Sequence, residues 1–203
     1  MVIYDIIISL LIGYCFGLVH PAYILGKAVK GIDIRSGGSN NSGASNATIV
    51  LGWKYGVITA LIDILKGTFA ILVGKYILDY NMIYLFIIGF GVIIGHDFPF
   101  HMKFKGGKGT ASFIGIFLGI NPIIGLLLGA TIILTTVITD YIAIGTIVMY
   151  IAAIILTFLN YPVVCTMIIF LLTLLTISKH WNNMIKIKNG TEIGLRSTFK
   201  SKK

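Results

Sequence analysis

The sequence predicts an all-α integral membrane protein with seven transmembrane helices, an N-terminus outside the membrane and a C-terminus in the cytoplasm. The first observation behind this prediction is composition. Apolar residues make up 57% of the 203-residue chain and charged residues only 11%, whereas a soluble domain carries about 25% charged residues. The mean hydropathy is +0.96. Because so few charges are present to cover a surface, the apolar residues must face lipid and one another.

Seven apolar segments separated by turn chemistry are the second observation. A helix needs about 20 residues to cross a bilayer, so the third and fourth segments are short for a full crossing. Pro122 divides what would otherwise be one helix, because proline removes a backbone donor. The connections contain Asn, Asp and Pro, which favour turns. The seven segments are 3–26, 55–78, 82–97, 109–120, 122–139, 141–159 and 162–178.

The placement of Lys and Arg is the third observation. Basic clusters lie at 27–54, 103–108 and 179–203, while the connections after the second, fourth and sixth segments carry none. Seven crossings put every cluster on one side, whereas six would put the basic tail outside, so the positive-inside rule favours seven. We therefore expect one membrane-embedded domain over 1–203, with 179–203 as a basic cytoplasmic tail. Because the positive charges mark the ends of apolar runs, the net charge of +9 does not indicate a nucleic-acid partner.

Cofactor and metal chemistry have no signature in this sequence. Cys15 and Cys165 are isolated within apolar runs, with no His at metal-ligand spacing. We therefore predict no cofactor and no metal. The first apolar run lacks a positive n-region and an A-x-A site, so we expect it to be a retained span.

Two cytoplasmic connections have compositions suited to anions. Residues 31–48 are rich in Gly, Ser and Asn, which expose backbone N–H groups and hydroxyls; a flexible linker is the alternative. Residues 105–109 read Lys-Gly-Gly-Lys-Gly at the start of an apolar helix. Glycine permits close backbone approach, and lysine supplies charge for a phosphate. The P-loop spacing fails, because Gly109 follows Lys108. A topology signal with a glycine turn is the alternative here.

A few polar residues lie near the membrane segments. Asp63 and Lys66 are three residues apart on the second segment, so they share a helix face and can form an ion pair, functional or structural. His180 and Asn183 share a face just beyond the last segment. A Ser-His-Asp set, a carboxylate pair and a metal cluster are not evident. The recurring feature is a set of residues suited to binding phosphate on one side of the membrane. This favours a substrate that is both phosphorylated and apolar.

The motifs resemble those of the bacterial membrane family of acyl-phosphate:glycerol-3-phosphate acyltransferases, often written PlsY, over nearly the whole chain. The family patterns are D-x-R-x-x-G-S-G-N-x-G-A-T-N, D-x-x-K-G, a G-H-x-F-P segment followed by F-K-G-G-K-G, and H-R-x-N with G-x-E. The stretches that match them are Asp33 to Asn46, Asp63 to Gly67, Gly95 to Gly109, His180 to Asn183 and Gly190 to Glu192.

The resemblance implies a seven-helix enzyme that moves a fatty acyl group from acyl phosphate to the 1-hydroxyl of glycerol 3-phosphate, giving lysophosphatidic acid for phospholipid synthesis. Its site lies on the cytoplasmic side of the bacterial inner membrane, among membrane lipids. The implied catalytic residues are Ser39, Lys108, His180 and Asn183. The implied substrate-binding residues are Gly38, Asn41, Gly43, Asn46, Lys66, Lys105, Gly106 and Gly107. The mechanism implied is substrate-assisted, with a substrate phosphate accepting the hydroxyl proton.

The chain departs from the family pattern at several positions. Ile49 stands where the family has an Arg, and Asn40 where it has a glycine. The family's R-Y-V-S is Asp140 to Ala143 here, and Trp181 replaces the Arg after His180. Two alternatives therefore stay open. One is a non-catalytic paralogue that binds a phosphorylated lipid or a partner, and the other is a small transporter of a phosphorylated solute, which would need polar residues at the bilayer midplane.

Overall fold

A computed structural model of the protein describes residues 2–200, with side chains described up to Ser197. Regular structure within this range is entirely helical, and no strand occurs in it. The chain divides into two compact units, one ending at Asn121 and the other beginning at Pro122. The α-helices in the described part of the chain are α1 (Ile3–Gly17), α2 (Pro21–Lys30), α3 (Ala44–Leu51), α4 (Trp53–Leu72), α5 (Met82–Asp97), α6 (Thr110–Ile120), α7 (Pro122–Thr139), α8 (Ile142–Asn160), α9 (Val163–Lys188) and α10 (Leu195–Lys200).

Six helical stretches among the described residues are long and apolar enough to cross a membrane, which makes this a multi-pass membrane protein. They are Ile3–Lys30, Trp53–Ile77, Met82–Met102, Pro122–Thr139, Ile142–Asn160 and Val163–Lys188. The predicted fourth crossing corresponds to α6, whose 11 residues span about 16 Å, roughly half of a 30 Å hydrocarbon core. The count of full-length candidates is therefore one below the seven expected from charge.

Glycine contacts fix the direction of α1 and α5 in the first unit. A Cβ built on Gly13 would lie 2.9 Å from the Cα of Gly91, and one built on Gly17 would lie 2.8 Å from the Cα of Gly95. Both helices thus carry glycines four residues apart, the small-residue spacing that lets membrane helices approach closely. Since Gly13 meets Gly91 and Gly17 meets Gly95, the helices are parallel, and the loops that follow them emerge at the same end.

Helices α4 and α6 pack in the same way. A Cβ on Gly67 would strike the backbone of Ser112, and one on Gly119 would lie 2.7 Å from the Cβ of Ile71. The Thr68 hydroxyl donates to the carbonyl of Gly115 at 2.9 Å. The pairing advances in the same direction along both helices, so α6 runs parallel to α4 and begins beside the middle of α4, near Gly67.

The second unit is built on α7, α8 and α9, joined by connections of two residues each. Such short connections place consecutive helices antiparallel. Close packing of α7 and α8 depends on Gly145, where a Cβ would meet the Thr136 hydroxyl and the backbone of Ile132. Helix α9 has 26 residues and is about 39 Å long, longer than the hydrocarbon core requires, so one end extends beyond it.

The structure corrects three element boundaries expected from the sequence. The first apolar segment is not one helix, because α1 ends at Gly17 and α2 begins at Pro21; proline is favoured in the first turn of a helix because it lacks an N–H. Residues 31–48 are not all loop, since α3 begins at Ala44. The tail expected from 179 onward is helical as far as Lys188, which ends α9.

Candidate active site

The side chain of Asn46 organises the loop that precedes α3, residues 37–43, here called the first loop. Its Oδ1 accepts the N–H of Ser39 at 2.7 Å. Its Nδ2 donates to the carbonyls of Ile34 at 2.8 Å and Asn41 at 2.7 Å. Asn46 is buried, and both ends of its carboxamide bond to backbone. Asn46 therefore holds the shape of the first loop, and its predicted contact with substrate stays a prediction.

The remaining predicted residues of the first loop lie around Ser39, whose side chain is exposed. Gly38 has φ +61°, and a Cβ there would collide with the Asn46 side chain, so this position requires glycine. Asn41 Oδ1 accepts the N–H of Ser42 at 2.8 Å. Gly43 is the N-cap residue of α3, whose N-terminal partial positive charge therefore adjoins the loop.

The glycines of the second loop, residues 103–109, pack directly against the end of α5. The N–H of Gly106 donates to the carbonyl of Asp97 at 3.2 Å, and that of Gly107 to the carbonyl of His96 at 3.0 Å. A Cβ on either glycine would collide with His96. The sequence suggested that these amides approach phosphate, but α5 carbonyls occupy them. Glycine is needed here because the loop approaches the helix closely.

The two lysines predicted to act at the site flank the packed glycines. Lys105 is exposed and Lys108 is half-buried, on either side of the glycine pair. Gly109 takes φ +68° as the N-cap residue of α6, so Lys108 comes immediately before a helix N-terminus. An ammonium group and a helix N-terminus in sequence both favour negative charge.

Arg35 joins the two loops. Its Nη1 donates to the carbonyls of Met102 at 2.9 Å and Lys105 at 2.8 Å. Its Nη2 donates to Asp33 Oδ2 at 2.7 Å. These hydrogen bonds from Arg35 lower the pKa of Asp33 below its ordinary value and raise that of Arg35 itself. The two loops thus form one face at one end of the first unit.

A buried polar cluster lies where α1, α4 and α5 meet. The predicted pairing of Asp63 with Lys66 is confirmed, with Oδ1 and Nζ 2.7 Å apart. Lys66 Nζ also lies 2.6 Å from the Val19 carbonyl, to which it donates, and 2.7 Å from His96 Nδ1. Lys66 is only 4% exposed, so protein groups surround the cation that the resemblance assigned to substrate. The His20 ring stacks on His96 with centroids 5.0 Å apart.

His20 and Arg35 are the residues of this unit whose contacts sequence reasoning missed. A histidine directly before Pro21, at the break between two helices, was an available signal for His20. The sequence identifies Arg35 only as part of the D-x-R pattern that begins at Asp33. Its contacts with Met102 and Lys105 span about seventy residues, and no local pattern predicts such a pairing.

In the second unit, His180 and Asn183 lie one turn apart on α9, as predicted. His180 is buried, and its Nδ1 is 2.9 Å from the Thr176 carbonyl. A carbonyl only accepts, so Nδ1 donates the proton in this hydrogen bond. Asn183 Nδ2 donates to Glu192 Oε1 at 2.6 Å, which joins the two pieces of the final motif.

These features define a class: a helical multi-pass membrane protein with glycine, serine and lysine loops grouped at one end of its first unit. The family model for glycerol-3-phosphate acyltransferase matches residues 7–190. A glycerol-3-phosphate acyltransferase 1 of Oceanobacillus iheyensis is 43% identical, covering 97% of this chain and 98% of that one. A glycerol-3-phosphate acyltransferase of Thermoanaerobacter pseudethanolicus is 35% identical, covering 92% and 93%. The chain belongs to the glycerol-3-phosphate acyltransferase family.

Solved structures give the same result for the fold. The chain is similar to the crystal structure of PlsY (YgiH), an integral membrane glycerol 3-phosphate acyltransferase, in its glycerol 3-phosphate form. The TM-score is 0.86 at 28% identity, covering 94% of this chain and 95% of that one. The lysophosphatidic acid form of the same protein gives a TM-score of 0.84 at 27% identity, covering 95% and 96%.

Proposed function

We propose that this protein transfers a fatty acyl group from acyl phosphate to the 1-hydroxyl of glycerol 3-phosphate, giving lysophosphatidic acid and inorganic phosphate for phospholipid synthesis. Family membership over residues 7–190 is the observation that carries the proposal. Solved forms of a similar protein with glycerol 3-phosphate and with lysophosphatidic acid support the acceptor and the product. The acyl donor follows from the resemblance of the sequence motifs.

Phosphate groups of the substrates would be held by the first loop and the lysines of the second. Ser39 is exposed in the first loop, and the N-terminus of α3 follows Gly43. Asn46 and Gly38 would act by shaping this loop, since Asn46 Oδ1 already accepts the N–H of Ser39. Gly106 and Gly107 would act by setting the position of the lysines that flank them.

In the proposed reaction the 1-hydroxyl oxygen attacks the acyl carbonyl carbon. The carbonyl oxygen becomes an oxyanion, the bond from carbon to the phosphate oxygen breaks, and inorganic phosphate leaves with the hydroxyl proton. Lys108 would stabilise the negative charge that develops during this attack. The resemblance assigns catalytic roles to His180 and Asn183 as well, both on α9. Because a substrate phosphate takes the proton, no separate general base is required.

The finer topology belongs to the same proposal: seven crossings in one domain, with the N-terminus outside and the basic tail in the cytoplasm. Within the first unit, the parallel pairs α1 with α5 and α4 with α6 support alternation of α1, α4, α5 and α6 across a membrane. Within the second unit, the N–H of Leu195 donates to the Asp140 carbonyl at 2.8 Å, which puts the C-terminal segment at the α7–α8 connection. The bacterial inner membrane is the location proposed.

An acceptor-dependence assay tests this function. Purified protein is given a long-chain acyl phosphate with and without glycerol 3-phosphate, and phosphate release is followed. The proposal predicts release that requires glycerol 3-phosphate and falls strongly in Lys108→Ala. Release that ignores the acceptor would mean simple hydrolysis, and no release with any acceptor would favour a non-catalytic paralogue.

A further inference from the structure

The chain folds back after α9, and the returning segment contacts a proposed catalytic residue. We call residues 189–197 the strap. Its start is secured to α9 by the N–H groups of Asn189 and Thr191, which donate to the carbonyls of Ile185 at 3.0 Å and Lys186 at 2.9 Å. The next residue, Glu192, accepts Asn183 Nδ2 at 2.6 Å. The strap therefore contacts Asn183 through a residue only four positions beyond Lys188, the last residue of α9.

This contact decides which way the Asn183 carboxamide faces. A carboxylate only accepts hydrogen bonds, so the Nδ2 end must point at Glu192. The Oδ1 end is then turned away from Glu192 and is the acceptor end of the side chain. In the proposed reaction, an acceptor oxygen suits the hydroxyl groups of glycerol 3-phosphate. Holding Glu192 in place therefore helps to hold Asn183 in this orientation.

The far end of the strap is fastened to Asp140, in the turn between α7 and α8. The Asp140 carbonyl accepts the N–H of Leu195 at 2.8 Å, and its Oδ1 accepts the N–H of Arg196 at 2.7 Å. Arg196 Nη2 also donates to the Val137 carbonyl at 3.1 Å. Gly194 is buried, and a Cβ there would collide with the Asp140 carboxylate.

Asp140 has a strained backbone at the place where it binds the strap. Its φ is +74°, a left-handed conformation that costs a residue with a side chain free energy, although Asp tolerates it better than most. In this conformation Asp140 presents both its carbonyl and its carboxylate to consecutive N–H groups of the strap. The charge is also complementary, because Arg196 Nε lies 4.0 Å from Oδ1.

We propose that Asp140 is a positioning residue that orients Asn183 through the strap. Leu195 is three residues from Glu192, a tether of at most about 10 Å. Holding residues 195 and 196 therefore restricts where the Glu192 carboxylate can lie, and Glu192 in turn fixes Asn183. The kinetic part of this proposal rests on the proposed function; the structural part does not.

The test begins with a readout that needs no activity. In full-length protein in micelles, the Asn183 side-chain amide is assigned by NMR as the resonance lost in Asn183→Ala. Asp140→Gly permits the positive φ but removes Oδ1, and it should shift this resonance and speed its exchange. Asp140→Asn keeps an acceptor oxygen and should restore it. Asp79→Gly is the matched control, because Asp79 also has positive φ, +50°, in the first unit.

The kinetic readout is a double-mutant cycle. Asp140→Gly should lower kcat about tenfold with little change in the KM for acyl phosphate, while Asp140→Asn should recover most of it. In an Asn183→Ala background, Asp140→Gly should add no further loss, because the residue it positions is gone. A purely structural Asp140 would lower activity in both backgrounds.

The outcomes separate the two proposals. An Asn183 resonance unchanged in Asp140→Gly, or an equal loss of activity in both backgrounds, overturns the role of Asp140. A wild-type protein without acyl transfer overturns the proposed function instead, while the NMR comparison still decides whether Asp140 orients Asn183. Gly194→Ala gives a second route to the same answer, since its methyl group would push the strap off Asp140 and should reproduce the Asp140→Gly spectrum.

Discussion

Lys108 is the residue whose predicted role depends most on charge. It follows Gly107, which is pressed against His96, and precedes the N-cap residue of α6. The backbone on either side of Lys108 is thereby held in place. A cation preorganised for developing negative charge contributes more than a mobile one, because no reorganisation is needed during the reaction.

Lys108→Ala should lower turnover by about 100-fold or more, as loss of one oxyanion-stabilising donor does. Lys108→Arg should not fully restore it, because a planar guanidinium does not occupy the place of an ammonium. Lys103→Asn is the matched control: it removes a cation from the same loop, and asparagine tolerates the positive φ of +56° found there. Equal turnover in folded wild type and Lys108→Ala would reduce the second loop to a topology signal.

Ile49, which stands where the family has an Arg, lies beside the first loop. A Cβ built on Gly38 would be 3.2 Å from Ile49 Cγ2, so this side chain adjoins the residue before Ser39. An Arg at this position would reach a phosphate held by the loop. A charge-assisted hydrogen bond contributes about 1.5–3 kcal/mol, which is roughly 10- to 150-fold in affinity.

Ile49→Arg should therefore lower the KM for glycerol 3-phosphate and leave the use of acyl phosphate largely unchanged. Ile49→Met is the control, since it alters shape without adding charge. Monodispersity must be retained, because a guanidinium in a partly buried position can unfold the region. A folded Ile49→Arg protein with no gain would show that another group already binds the acceptor phosphate.

At the scale of elements, the loops were harder to predict than the helices. Helix limits at Met82–Asp97 and Pro122–Thr139 coincide with the apolar segments because hydrophobicity sets them directly. The short α3 was missed, since its polar first turn has the composition of a loop. From the sequence, Asp140 is only a position where the family's Arg is missing. In the structure it accepts the N–H groups of Leu195 and Arg196, which lie at least 55 positions later in the sequence. Contacts of that range leave no periodicity to detect.

The bridge made by Arg35 gives a prediction about the second loop. Arg35→Lys removes the planar fork that donates to the carbonyls of Met102 and Lys105, and a lysine cannot reproduce both bonds. Hydrogen exchange at 100–105 should rise in this variant, with α7 to α9 unchanged as an internal control. Unchanged exchange at 100–105 would show that the glycine packing alone holds the loop.

The pH dependence of the same bridge follows from Asp33. Its pKa is lowered by the hydrogen bonds from Arg35, so the stabilisation is complete above the ordinary carboxyl pKa of about 4. It is lost as pH falls through the depressed pKa of the folded state. Wild type should therefore become more susceptible to pepsin at 100–105 only below about pH 4, and Asp33→Asn should remove this dependence. Cleavage at 100–105 with the same pH dependence in wild type and Asp33→Asn would show that Asp33 does not set this pH dependence.

For the whole molecule, composition was enough to predict a helical multi-pass membrane protein. Composition does not determine the number of crossings, because α6 is as apolar as a membrane-spanning helix but only about half as long. Charge favours seven crossings, and length alone gives six among the described residues. The two criteria measure different quantities, so orientation has to be tested directly.

Cysteine labelling tests the seven-crossing arrangement. In a background with Cys15 and Cys165 replaced, single cysteines at Asn81 and Asn160 should react with an impermeant maleimide added to intact cells. A cysteine at Ser201, which lies outside the described residues, should react only after permeabilisation. External labelling at Ser201 would exclude seven crossings with the N-terminus outside.

The central claim is that this chain is an acyl-phosphate-dependent glycerol-3-phosphate acyltransferase despite carrying Ile49 where the family has Arg. The most direct measurement is ³¹P NMR of purified protein mixed with a long-chain acyl phosphate and glycerol 3-phosphate. We expect the acyl phosphate signal to be replaced by those of lysophosphatidic acid and inorganic phosphate in equal amounts, and Lys108→Ala to slow the appearance of both. Inorganic phosphate appearing without lysophosphatidic acid, or no change in any phosphorus signal, would contradict it.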